Sequence, residues 1–194
     1  MMGFRRSISI IIGLVALTLF VVSPHAEEGE ETTISIESTN TTTFFSAPFN
    51  FDGPGVANYA IYAGVSNLGK ITGQGVSQSA FTTNPPTPCT LPDGSSGVQL
   101  ELVDHVAVTR FERTGDLLHE RGKPGDLKAC LNFETGIFHE SGTVEITGGT
   151  GGFSGAHGSY EADQNGQILV PPGAQALQFG YATATYTYKI TVPK

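Results

Sequence analysis

The 194-residue chain has no tryptophan, two methionines, two cysteines and little charge: Asp, Glu, Lys and Arg make up 14% of it. Positive charge is scarcest, with 10 Lys and Arg against 18 Asp and Glu. So acidic a chain lacks the basic face that a nucleic-acid backbone or an anionic lipid surface requires, which sets those partners aside. Cys89 and Cys130 form no Cys-x-x-Cys pair, so the usual redox and zinc spacings are missing. His105, His119, His139 and His157 show neither His-x-His nor His-x-x-x-His spacing. A metal site would therefore have to be assembled entirely by the fold, and no cofactor is expected. A helical apolar period is absent throughout the region beyond residue 26.

The one long hydrophobic run is N-terminal. Arg5-Arg6, the apolar stretch from Ile8 to Val22, and Ser23-Pro24-His25-Ala26 read together as a signal peptide over residues 1–26, cleaved near Ala26. Its ~15 apolar residues fall short of the ~20 needed to span a bilayer. The expected product is secreted or periplasmic. Removing the leader takes away Arg5 and Arg6 and no acid, leaving 8 basic against 18 acidic groups and a net charge of −10. The remaining 168 residues suit one domain. In an oxidising compartment Cys89 and Cys130 are expected to pair. Closing that loop stabilises the fold by ~4 kcal/mol on the chain-entropy account. A reactive thiol pair is the alternative, with Lys128 the only adjacent positive charge.

What is abundant is glycine, at 25 residues, with Thr, Ser, Val and Tyr recurring between turn residues. This is an all-β composition. Strand-like runs occupy 59–65, 69–80, 98–111, 115–120, 128–133, 137–146, 155–163 and 176–192. Eight such segments suit a single antiparallel β-barrel over residues 58–194, whose closure removes exposed edges. Residues 27–57 read as an irregular extension. Within it, Thr32 to Glu37 alternates like one short strand, and the polar tract 38–43 reads as a linker or an edge. Asn40-Thr41-Thr42 fits a glycosylation acceptor, relevant in a eukaryotic secretory pathway. Phe44, Phe45, Phe49 and Phe51 form ordinary core at the domain margin, plug one barrel end, or contact another subunit.

Phase adds detail. Along 98–110 the even positions are apolar except Asp104, which marks either a bulge or a buried acid. In the last run Leu177, Phe179 and Tyr181 are odd whereas Ala184, Tyr186, Tyr188, Ile190 and Val192 are even, so a bulge or bend is expected near Ala182. Between residues 148 and 158 lie six glycines, but neither the Lys-Ser/Thr end of a phosphate loop nor a dinucleotide fingerprint is present. That leaves a tight hairpin packed around Phe153.

The string Gly148-Gly149-Thr150-Gly151-x-Phe153-x-Gly155-Ala156-x-Gly158 resembles the hairpin signature of allene oxide cyclase and dirigent-like β-barrels, including secreted bacterial members. Gly64 to Gly73, with Leu68-Gly69 at its centre, is similar to an early strand of the same proteins. The resemblance covers roughly residues 58–192. It implies a barrel, a dimer or trimer, and structural roles for the matched residues. It also raises the prospect of cofactor-free chemistry, in which a pocket holds an apolar substrate in a reactive shape and one acid or tyrosine guides the charge.

Candidate catalytic groups for that chemistry are Asp104, Glu101, Tyr186 and Tyr188. Asp104-His105 and His139-Glu140 are not dyads, because neighbours on a strand point to opposite faces. His119-Glu120 reads as a strand end, and Gly152-Phe153-Ser154-Gly155-Ala156 fails the Gly-x-Ser-x-Gly pattern of serine hydrolases. Three functions stay open: an exported barrel that binds a small apolar ligand or a surface partner, a cofactor-free cyclase or stereochemical guide, and a structural envelope protein whose lumen is filled with side chains.

Overall fold

Side-chain alternation on long strands decides the architecture. A computed structural model describes residues 30–46, 55–169 and 179–193. The signal-peptide expectation, Phe49, Phe51 and Leu177 lie outside these residues. The strands are β1 (Glu31–Ser46), β2 (Val56–Ser66), β3 (Gly69–Ala80), β4 (Pro88–Thr90), β5 (Ser96–Phe111), β6 (Leu117–Gly122), β7 (Leu127–Leu131), β8 (Ile137–Gly149), β9 (His157–Ile168) and β10 (Phe179–Pro193). All pairings are antiparallel, and β3–β5 pairing closes the sheet. The result is a closed eight-stranded barrel. The two short strands extend existing positions: β7 continues β6 between β5 and β8, and β4 continues β3 along β5.

The expected count of eight was reached by a different route. Runs 115–120 and 128–133 share one barrel position, and the missing member is β1. Far from an irregular extension or an edge, residues 31–46 pair with β10 on one side and β2 on the other. Ile36, Ser38, Asn40, Thr42 and Phe44 all face inward and are buried. Small polar residues inside a barrel defeat a reading that equates polar with exposed. Burial also corrects the glycosylation reading, since Asn40 is 1% exposed within the folded barrel.

The two phase expectations part company. In β5 the inward set changes from Leu100 and Leu102 to His105, Ala107, Thr109 and Phe111. Its register against β3 slips at the same place, where Gln78 pairs Asp104 and Ser79 pairs Leu102. The break at Asp104 is therefore a β-bulge. No such slip occurs in β10, where Ala182, Ala184, Tyr188, Ile190 and Val192 are buried on one face and pairing with β1 and β9 is continuous. Phe179 and Tyr181 instead point outward and are exposed.

One barrel end is packed shut. Between β8 and β9 the glycine-rich segment makes a 3₁₀ turn, Gly151–Phe153, that carries the buried Phe153 against Phe111 with ring centroids 4.7 Å apart. Gly151 adopts φ 56°, a left-handed conformation that glycine takes without a Cβ clash. The amide of Gly152 donates to Asp116 at 3.2 Å, and Thr150 Oγ1 accepts from the Leu117 amide at 3.0 Å. Ile36, Ile71, Leu118, Val144, Ile146 and Ile190 complete this core.

Cys89 and Cys130 form a disulfide, as expected, with Cα atoms 5.9 Å apart. It joins β4 to β7 across β5, passing over Gly97, where a Cβ would crowd the Cys130 sulfur. A disulfide is consistent with an oxidising compartment outside the cytoplasm.

Candidate lumen site

Glycines opposite aromatic residues shape the open half of the barrel. Tyr62 pairs with Gly73, Phe138 with Gly166 and Phe44 with Gly180. In each case a Cβ on the glycine would run into the facing ring. The rings thus lie over the neighbouring strand's backbone, which gives them room inside a narrow barrel. Phe44 and Phe138 meet edge to face at 5.6 Å.

Between these rings and the packed end lies a cavity of about 280 Å³. Phe81 and Phe133, both exposed, stand at its mouth with centroids 6.0 Å apart. Leu100, Leu127, Leu131, Ile168 and the methyl groups of Ala60, Ala107, Ala129 and Ala162 form apolar wall. The polar groups facing this wall include Glu120, Glu140, Tyr62, Tyr160, Tyr186, Gln164 and His105. A concave apolar space with a few convergent polar groups has the make-up of a small-molecule site, and its volume lies near the small end of that class.

Glu120 enters from β6 because it shares a face with Leu118 and Gly122. It accepts a hydrogen bond from Thr109 Oγ1, whose oxygen lies 2.6 Å from the Tyr62 hydroxyl. Since Thr109 gives its single proton to Glu120, Tyr62 is the donor to Thr109. Burial pushes the Glu120 carboxyl up to about 7, with hydrogen bonds from Thr109 and Tyr160 pulling partly the other way.

Glu140 enters from β8 in phase with Phe138. Gln164 Nε2 donates to its Oε2 at 3.3 Å, and the Tyr186 hydroxyl donates to Gln164 Oε1 at 3.4 Å. Burial pushes this carboxyl up to about 7 as well, opposed by His139. Tyr186 feels both acids: burial, then Glu120, then Glu140 raise its phenol above the ordinary range. Burial and Glu120 likewise raise Tyr62, Tyr160 and Tyr188. Burial pushes His105 down to about 4, against the pull of Asp104, so its ring is neutral. Neither ring nitrogen of His105 has a hydrogen-bond partner.

The structure distributes the four candidate catalytic residues unevenly. Tyr186 lines the cavity, and Tyr188 is buried just beneath it, 4.9 Å from the Tyr160 ring. Asp104 instead pairs with Arg121 at 3.3 Å, and Glu101 pairs with Lys128 at 3.6 Å and accepts from Gln99. Neither lines the cavity. His105, next to Asp104, points into the lumen, so the pair is split across the wall; the Asp104 carboxylate reaches only the His105 backbone amide, at 2.8 Å. His139 bonds Asn165 at 3.1 Å, again apart from its neighbour Glu140.

Glu120, Glu140, Tyr62 and Tyr160 escaped the sequence reading. Glu120 sits within β6 rather than at a strand end. Its signal was present in the alternation Leu118, Glu120, Gly122, as that of Glu140 was in Phe138, Glu140. Among the described residues no group of three or more His, Cys, Asp or Glu is arranged to hold a metal ion. No family model matches this chain, and no curated protein or solved structure matches it either.

Proposed function

We propose that this barrel binds a small, largely apolar molecule in its lumen. The observation that carries this reading is the cavity of about 280 Å³, walled by leucine, alanine and phenylalanine and provided with a cluster of carboxyl and phenol groups. Burying apolar surface supplies affinity, at roughly 25 cal/mol per Å², and the few polar groups fix orientation. A lumen filled with side chains would favour a structural envelope role, whereas an open cavity supports binding. The disulfide and the acidic composition suit an exported, soluble carrier or scavenger.

A second reading, a cofactor-free cyclase or isomerase of the allene oxide cyclase and dirigent-like kind, draws support from the 148–158 hairpin and from Glu120 and Glu140. A carboxylic acid poised near pH 7 inside an apolar site can give or take a proton where one in water cannot. The two readings share one site.

Titration calorimetry with 1-naphthylmethanol, a neutral aromatic alcohol, tests the binding reading. Saturable one-to-one binding is expected in the wild type and loss of it in Ala162→Phe, which fills the lumen. Binding unaffected by the filled lumen would contradict it, as would failure of this probe together with its amine and carboxylate analogues.

A further inference from the structure

The charges lining the lumen are of one sign. Glu120 and Glu140 face the cavity, and among the described residues its lining includes neither lysine nor arginine. A carboxyl group inside such a lumen is costly to ionise, and neither acid, though hydrogen-bonded, has a described cation facing it within the cavity. Surplus acceptors accompany them. Asn58 Oδ1, on a lining residue, makes no hydrogen bond, and the neutral His105 ring offers an unpartnered acceptor nitrogen. Tyr62, Tyr160 and Tyr186 add aromatic rings, whose faces attract a desolvated cation.

We infer that the lumen's ligand is a lipophilic amine, bound as the ammonium cation with its charged end against a lumen carboxyl, Glu120 or Glu140, and its apolar body against the leucine and phenylalanine wall. This rests on the lumen-binding reading above and names the chemical class of the occupant. An anion of the same shape would face two like charges. A neutral molecule would bring fewer donors to these acceptors and no charge to pair with an ionised carboxyl.

The groups facing the two acids are known from every packed strand. Around Glu120 stand Tyr62 of β2, Thr109 of β5, Tyr160 of β9, and Tyr186 and Tyr188 of β10. Around Glu140 stand Gln164 of β9 and Tyr186 of β10, with His139 on its own strand. His105 of β5 is the remaining ionisable group in the lining and is uncharged. None supplies a positive charge from inside the lumen. With both acids raised to about 7, a bound ammonium draws its partner carboxyl into the ionised form, so binding at pH 6 releases a proton and is weaker than binding at pH 8.

Calorimetry with three probes of one shape decides the matter: 1-naphthylmethylamine, 1-naphthylmethanol and 1-naphthoate, each at pH 6 and pH 8. At pH 8 the amine is expected to bind at least about tenfold more tightly than the alcohol, as close charge pairs typically give, with 1-naphthoate the weakest. The advantage is expected to shrink at pH 6 and to vanish in E120Q/E140Q. Should that double variant fail to fold, the wild-type ratio of amine to alcohol at the two pH values stands as the test. An alcohol that binds as tightly as the amine at pH 8, or an amine preference that survives in a folded E120Q/E140Q, overturns the amine assignment while leaving lumen binding intact. Failure of all three probes to bind overturns both.

Discussion

The Tyr62 hydroxyl lies 2.6 Å from Thr109 Oγ1, across 47 residues of sequence, and Thr109 passes its own proton toward Glu120. Three strands thereby contribute to one directed chain of hydrogen bonds that ends on a buried acid. Such a chain tempers the cost of a carboxyl inside a barrel without removing it, and Glu120 remains protonated to about pH 7.

That residual cost has a sign that can be measured. Below pH 4.5, the ordinary value for this side chain, Glu120 is protonated in the folded and unfolded states alike, so pH has no leverage. Between 4.5 and about 7 the unfolded chain releases the proton and the folded one keeps it, so stability falls as pH rises. Above about 7 the loss is complete and amounts to roughly 3 kcal/mol. Glu120→Gln is expected to gain stability relative to wild type on going from pH 5 to pH 8. Urea denaturation at those two pH values checks it, and the comparison cancels the opposite contribution of His105.

Gly73→Ala would place a methyl group in the Tyr62 ring. Overpacking of this kind typically costs ~1–3 kcal/mol. Because Tyr62 must move, the hydrogen-bond chain to Glu120 is expected to break, visible as a shifted Glu120 carboxyl resonance in NMR titration. Gly69→Ala, where a Cβ meets nothing within 4 Å, disturbs the backbone without touching the ring and provides the control.

Phe153→Ala empties the packed end of the barrel, where Phe153 is 6% exposed against Phe111. A loss of ~3–5 kcal/mol is expected in chemical denaturation, in line with other buried phenylalanines. Ligand binding at the opposite end should survive in the folded fraction.

The exposed pair Asp104–Arg121 should matter little. At 3.3 Å, with Arg121 largely in solvent, it is worth at most about 1 kcal/mol. Asp104→Asn is expected to leave both stability and probe affinity near wild type, whereas Glu140→Gln changes probe affinity; a pair of calorimetric titrations separates the two.

Removing the disulfide with Cys89→Ser and Cys130→Ser frees the chain between two strands that flank β5. Stability is expected to fall by ~4 kcal/mol, read from denaturation midpoints with and without reductant. The barrel pairing of β5 with β3 does not depend on the bridge, so far-UV circular dichroism should be preserved at low temperature.

How much of this was written in the sequence depends on what alternation reveals. β3 was legible to the residue, since Gly69–Ala80 is bounded by turn and proline signals. The hairpin around Phe153 was legible because glycine and a lone aromatic leave few other conformations. β1 was obscured by Ser38, Asn40 and Thr42, polar residues that line the interior of a barrel. The phase flip expected near Ala182 failed because Phe179 and Tyr181 are apolar and exposed, and phase alone does not say which face is wet. The lumen acids were the hardest to see: closure of the ring brings β6 and β8 side chains together with those of β2, β9 and β10, and no linear motif records that convergence.

The most direct test of the lumen as the binding site is methyl NMR on protein labelled at alanine Cβ, recorded during titration with 1-naphthylmethylamine. Ala60, Ala107, Ala129 and Ala162 line the cavity, whereas Ala63 faces solvent from β2. Ring-current shifts at the four lumen methyls with Ala63 unmoved are the expected result. Shifts confined to Ala63 and other surface methyls, or none at saturating probe, would contradict a ligand-binding lumen.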